Sequence, residues 1–190
     1  MFKSVCGAVV ALMVANAAQS QDTVTWNDDV QGWSVAIDRT IDDSCFIISA
    51  YEGDVFLRFQ FNATQNNIQF IVANINWASL ESGGDYDLEV AFGDHEPWMG
   101  IAKGYRWNDI LPSLVLSVPV ANSQASEFMR EFTAMDTVRV SYEGTEIANL
   151  ALSGSRDAVA EMMDCQAAMS SATDEAKPLQ APANPDGEQI

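Results

Sequence analysis

Alternation of apolar and polar residues at every second position runs through this chain from Gly32 to Leu152 and constrains its fold more than any other feature. In DVFLRFQFN, Val55, Leu57, Phe59 and Phe61 point one way; Arg58, Gln60 and Asn62 point the other, with Phe56 as the exception. In YDLEVAF, Tyr86, Leu88, Val90 and Phe92 oppose Asp87 and Glu89, and in TVRVSYEG, Val138, Val140 and Tyr142 oppose Arg139, Ser141 and Glu143. Successive side chains of a β-strand leave on opposite faces, so a period of two marks strands with one buried face. Further strands are predicted at 32–38, 45–52, 68–77, 98–107, 114–118 and 146–152, separated by turn-forming stretches such as Glu52-Gly53-Asp54, Asn62 to Asn67, Ser82-Gly83-Gly84-Asp85 and Glu143-Gly144-Thr145. The connections are too short for repeated βαβ crossovers. The expected fold is mainly β (α+β): an antiparallel β-sandwich or open barrel with one internal helix and one C-terminal helix.

Two segments break the alternation. In NSQASEFMREFTAM (122–135), Phe128, Met129, Phe132 and Met135 recur at helical spacing, with Ser123 or Ser126 as N-cap. After Gly154, Ala158, Met162, Cys165 and Met169 form one stripe, Ser155 caps the first turn and Asp157 lies where the helix dipole favours an anion. The last 21 residues, 170–190, hold three of the six prolines and almost nothing large and apolar. They cannot bury enough surface to offset the entropy of ordering and read as a disordered tail.

The first twenty residues have the three parts of a secretory signal peptide: a positive start at Lys3, an uncharged apolar run from Val5 to Ala18, and small residues that place cleavage between Ala17 and Gln21. The apolar run has 14 residues, short of the roughly 20 needed to span a bilayer, and no later segment is long and apolar enough to do so. The expected organisation is a signal peptide over 1–20, a single β-rich domain over 21–169 and the tail, with the product periplasmic or secreted. Without Lys3 the balance is 8 basic against 27 acidic residues. Nucleic acid and anionic membranes are bound through basic patches, so neither is an expected partner.

Cys6 leaves with the signal peptide, so Cys45 and Cys165 are the remaining pair. An exported chain favours a disulfide between them. A reactive thiol needs a basic neighbour, whereas Asp164 adjoins one cysteine and Asp42 and Asp43 lie near the other.

Candidate sites are sparse. His95 is the only histidine, which rules out a site with two His ligands in one chain, and there is no GxSxG nucleophile elbow, DxDxDG calcium loop, CxxC pair or glycine-rich phosphate loop. No catalytic residue, metal site or cofactor is therefore predicted. On β-strand spacing, Met99, Ile101, Tyr105 and Trp107 fit a core face, and Trp98 falls out of phase with them as an exposed aromatic. Trp98, His95, Asp94, Asp87 and Glu89 are the candidate ligand contacts.

Two stretches resemble a known family. "GWSV" followed by "SCFIISAY", and "EIANLALSGSRDAVAEMMDC" near the end, are similar to the Trp-led strand, cysteine-bearing strand and closing strand–glycine–helix of the invasion-associated locus B family. The resemblance implies an exported bacterial β-sandwich-like domain linked to host-cell invasion or envelope functions, with no catalytic residues to transfer. The expected role is a non-enzymatic binding or accessory protein with a protein or small-ligand partner. The alternative is a carboxylate-based hydrolase or small-ligand-binding barrel, which requires Asp87, Glu89, Asp94, His95 and Trp98 to converge in one cleft.

Overall fold

The computed structural model describes residues 22–107, 110–121 and 123–176; the expected signal peptide and most of the expected tail lie outside them. The described chain is mainly antiparallel β-sheet with one internal and one C-terminal helix, as expected. The strands are β1 (Thr23–Val30), β2 (Trp33–Asp38), β3 (Ser44–Tyr51), β4 (Val55–Asn62), β5 (Asn67–Asn74), β6 (Asp85–Phe92), β7 (Trp98–Trp107), β8 (Leu111–Pro119), β9 (Thr137–Tyr142) and β10 (Thr145–Ala151), and the helices are α1 (Ser123–Ala134) and α2 (Ser155–Ala176). All ten strands join one sheet in the order β1-β2-β3-β4-β5-β8-β7-β6-β9-β10.

This order explains the helices. β1 to β5 form a meander, β8-β7-β6 form a second one laid beside β5, and the chain must return from β8 past two strands to reach β9. α1 makes that return across the apolar face. Its Phe128 ring packs against Phe59, Phe70, Phe92 and Trp98, which belong to four different strands, with centroid distances between 5.0 and 6.5 Å. Phe132, one turn on, meets Trp33 and stacks on Phe59 at 4.6 Å. A flat sheet this wide could not present residues from β2 to β7 to one helical turn, so the sheet is curled around α1.

α2 returns from β10, at one edge of the sheet, to β1, β2 and β3 at the other. The junction is tight. Gly154 has φ +81°, and a Cβ there would lie 2.7 Å from both Cβ and the carbonyl oxygen of Gln31 in the β1–β2 turn. Only glycine tolerates both conditions. Around it, Trp33 Nε1 donates to Ser153 O at 2.9 Å and Tyr51 Oη donates to Ala151 O at 2.8 Å. Burial pushes the Tyr51 phenol up to about 12, against a weaker opposing pull from Ser49. Of the expected stripe, Ala158, Met162 and Cys165 are fully buried and Met169 is half-buried, and Cys165 is disulfide-bonded to Cys45 of β3, with the Cα atoms 6.1 Å apart. Next to the bond, Cys45 N donates to Gln166 Oε1 at 2.8 Å.

Four details depart from expectation. α2 continues past Met169, where the tail was expected to begin, as far as Ala176. The Ser155 hydroxyl does not cap α2; it donates to Phe132 O of α1 at 2.9 Å and joins the two helices. β1 was not expected at all: register shifts beside Asn27 break its alternation, and its inward positions fall on Val24, Asn27 and Val30 instead of every second residue. In β7 the faces are reversed. Met99, Ile101 and Tyr105, expected in the core, are 67 %, 63 % and 48 % exposed. The inward positions are Gly100, Ala102 and Gly104, because Leu116, Tyr86 and Leu80 already occupy the space: a Cβ on Gly100 would lie 2.6 Å from Leu116 Cδ1, and one on Gly104 would lie 2.2 Å from Glu81 O.

Replacing Cys45 and Cys165 together by alanine should lower the unfolding free energy by about 2–5 kcal/mol; guanidinium denaturation with an unchanged midpoint would show that α2 docks without the bond. Gly154→Ala should cost at least about 1 kcal/mol in the same assay, and a neutral result would contradict the close approach to Gln31.

Candidate functional site

The structure brings some of the expected ligand contacts together around a residue that was not expected. Glu131 lies on α1 between Phe128 and Phe132, which anchor the helix in the core, and it is only 6 % exposed. One carboxylate oxygen accepts from Trp98 Nε1 at 2.8 Å, and the other faces His95 Nδ1 at 2.9 Å. Arg130 lies 3.9 Å away. Burial by itself raises the pKa of the Glu131 carboxyl; the hydrogen bonds from Trp98 and His95, together with the charges of His95 and Arg130, outweigh burial and hold it below the ordinary range. Glu131 therefore ties the β6–β7 connection to α1. Trp98, expected to be exposed, is partly buried against Phe128 and uses its N–H in this contact.

Asp94 and His95 line an open polar recess of about 570 Å³ with Asp136, Arg139 and Asn149. Asp87 and Glu89 do not line it. They lie on the outer face of β6, paired with Ile101 and Met99 of β7. Asp87 and Glu89 thus lie on one surface, Asp94 and His95 on another, and Trp98 packs against α1. The three carboxylates do not meet in one cleft, and the imidazole is committed to a carboxylate of α1.

The outer face of the sheet carries what the alternation concealed. The polar residues of β4 were expected to face solvent, but Arg58, Gln60 and Asn62 are 7 %, 2 % and 4 % exposed. In register, Arg58 stands level with Ile71, Val115 and Lys103 on the next three strands. Its guanidinium nevertheless lies 3.6 Å from the Phe46 ring centroid and 5.0 Å from that of Trp107, four residues beyond Lys103 on β7. The curl that wraps the sheet around α1 also makes a groove on its other side, and the end of β7 leans over it. Arg58 Nη2 donates to Asp38 Oδ2 at 2.5 Å, and Arg58 Nε donates to Gln60 Oε1. Burial pushes the Arg58 pKa down while the hydrogen bond and charge of Asp38 push it up; a guanidinium stays protonated under these conditions. The resulting groove has a volume of about 380 Å³.

A third recess of about 140 Å³, at another end of the sheet, is lined by Trp77, Leu80, Tyr86, Leu114, Tyr142 and Ile147; its size suits no more than one small apolar group. Among the described residues, no group of three or more His, Cys, Asp or Glu is placed to hold a metal ion, and no helix is long and apolar enough to cross a membrane.

Glu131→Ala should reduce stability at neutral pH by about 1–3 kcal/mol, because Trp98 and His95 lose their shared acceptor. The carboxyl is held below its ordinary value of 4.5 in the folded state. Its contribution is therefore complete above that value and fades as pH falls through the folded pKa. Urea denaturation of both proteins at pH 7 and pH 3 should show the gap narrowing in acid; a constant gap would mean that the carboxylate charge is not what matters.

No family model matches the chain, and neither does any curated protein or solved structure.

Proposed function

We propose that this chain is an exported, non-enzymatic binding protein of the bacterial envelope or periplasm, and that it docks a protein partner on the outer face of β7. The observation that carries this is the exposed row Met99, Ile101 and Tyr105 in the middle of the sheet. Apolar side chains gathered on a solvent-facing strand are costly to leave in water and mark interaction surfaces. Beside them on β6 stand Asp85, Asp87 and Glu89, in register with Lys103, Ile101 and Met99. A partner that fits this surface presents an apolar contact with a basic rim. A second copy of the chain is disfavoured, because a net charge of −18 sets acidic rows against each other.

Export is supported by the leader-like residues 1–20 and by the Cys45–Cys165 bond, a linkage that persists in oxidising compartments. The link to host-cell invasion rests on the resemblance of "GWSV", "SCFIISAY" and the closing stretch alone. A hydrolase needs its acid and base to face one another across a substrate. Here Asp87 and Glu89 are separated from the recess lined by Asp94 and His95.

The double variant Met99→Lys, Ile101→Lys should keep a melting temperature close to that of the wild type, since both side chains are exposed and the new charges stand opposite Glu89 and Asp87, and should lose any protein that the mature chain captures from envelope extract. Equal capture by the two proteins would defeat the assignment of this face.

A further inference from the structure

We propose that the groove on the outer face of the sheet, floored by Gln60 and Gln69 and overhung by Tyr105 and Trp107, is a binding site for a neutral saccharide. It adjoins the protein-docking row and shares Tyr105 with it, but Met99 and Ile101 do not line it.

The case begins with the direction of a hydrogen-bond chain. A guanidinium can only donate. Arg58 Nε donates to Gln60 Oε1, so the carbonyl end of Gln60 must face the arginine. The amide NH₂ of Gln60 is then turned to Gln69, whose Oε1 accepts from it. That leaves the Gln69 NH₂ as the end of the chain, with no partner among the described residues. Asn62 repeats the arrangement: its Oδ1 accepts from Gln65 N at 3.0 Å, which leaves its NH₂ without a partner among the described residues. Gln60, Gln69 and Ser117 occupy one cross-strand row, and Asn62 lies one row away on the same face. The buried Arg58–Asp38 pair therefore orients a line of amides so that unpaired donors are presented to the groove.

Charge narrows the ligand. The two cations at the groove are both paired, Arg58 with Asp38 and Lys103 with Asp85. The chain around them carries a net charge of −18. An anion would gain little from cations already paired and would enter against the field of the whole molecule. A neutral ligand that supplies acceptor oxygens to fixed N–H groups and C–H faces to aromatic rings meets each requirement. Tyr105 and Trp107 supply the rings, and a pyranose, with hydroxyl oxygens around its edge and apolar C–H faces, has this chemistry. A volume of about 380 Å³ admits one or two sugar rings.

The test titrates the mature chain, followed by amide NMR shifts, with neutral oligosaccharides of glucose, of mannose and of N-acetylglucosamine, and with oligogalacturonate and inorganic phosphate as anionic probes. At least one neutral series should shift groove resonances at sugar concentrations up to about 10 mM, which covers a Kd in the millimolar range. Gln69→Ala should weaken that binding about five- to tenfold, as expected for one lost hydrogen bond. Tyr105→Ala, at a residue exposed enough to spare the fold, should weaken it similarly. Met99→Lys, Ile101→Lys should bind the sugar as the wild type does, so failure of the protein-docking face and failure of the groove are separable. The proposal is overturned if no neutral sugar shifts the groove resonances, if both groove variants bind as the wild type does, or if either anion binds more tightly than every neutral sugar.

Discussion

A single antiparallel sheet of ten strands has one apolar face to hide along its whole width, and no single helix is wide enough to cover it. The chain meets this constraint by bending the sheet until strands far apart in the hydrogen-bonding order share a few aromatic side chains of α1. Phe128 and Phe132 are the point of convergence: rings from β2, β4, β5, β6 and β7 pack on them. Much else follows from that curvature. The edge strands come close enough for the β10–α2 junction to touch the β1–β2 turn at Gly154, α2 reaches back to β3, and the disulfide fastens a contact that the curl has already created.

The same bend reshapes the outer face. A sheet that is concave around a helix and strongly twisted is not simply convex behind it; along one diagonal its outer surface folds inward. That diagonal brings Trp107 over Arg58 although the two are out of register. Burying an arginine is costly without a partner, and Asp38 supplies one at the end of β2. Thr40 then holds the other oxygen of Asp38 through its N–H, at 3.0 Å, and its hydroxyl. The polar network is thus a consequence of sheet geometry before it is anything functional, and its rigidity is what makes it suited to presenting donors.

The elements were legible where one simple rule governed them. β6 and β9 alternate cleanly and β4 does so apart from Phe56, α1 and α2 carry apolar stripes, and Cys45 and Cys165 were the only pair left once the expected leader was set aside. The rule failed where two demands met on one strand. Bulges in β1 replaced the period of two with longer steps. In β7 every second residue is large, so the pattern correctly announces a strand, but it does not reveal which face is buried. That is decided by Leu116 and Tyr86 on neighbouring strands, through contacts no local pattern encodes. The ligand-contact expectations suffered in the same way. His95 and Trp98 do come together, but through Glu131, which the sequence disguises as one more charge on an amphipathic helix. The burial of Arg58, Gln60 and Asn62 was also hidden, since a polar row on a strand looks the same whether it faces water or a curled-over neighbour.

The reversal of β7 also separates two kinds of sequence freedom. Its inward positions are glycine and alanine, held to minimal size by what surrounds them, whereas its outward positions touch little of the core. Changes at Met99 or Ile101 can alter what the surface recognises without forcing the interior to repack, and changes at Gly100 or Gly104 do the opposite. Along one strand, alternate residues answer to folding and to recognition. A scaffold arranged like this can acquire a new partner by single substitutions while keeping its architecture.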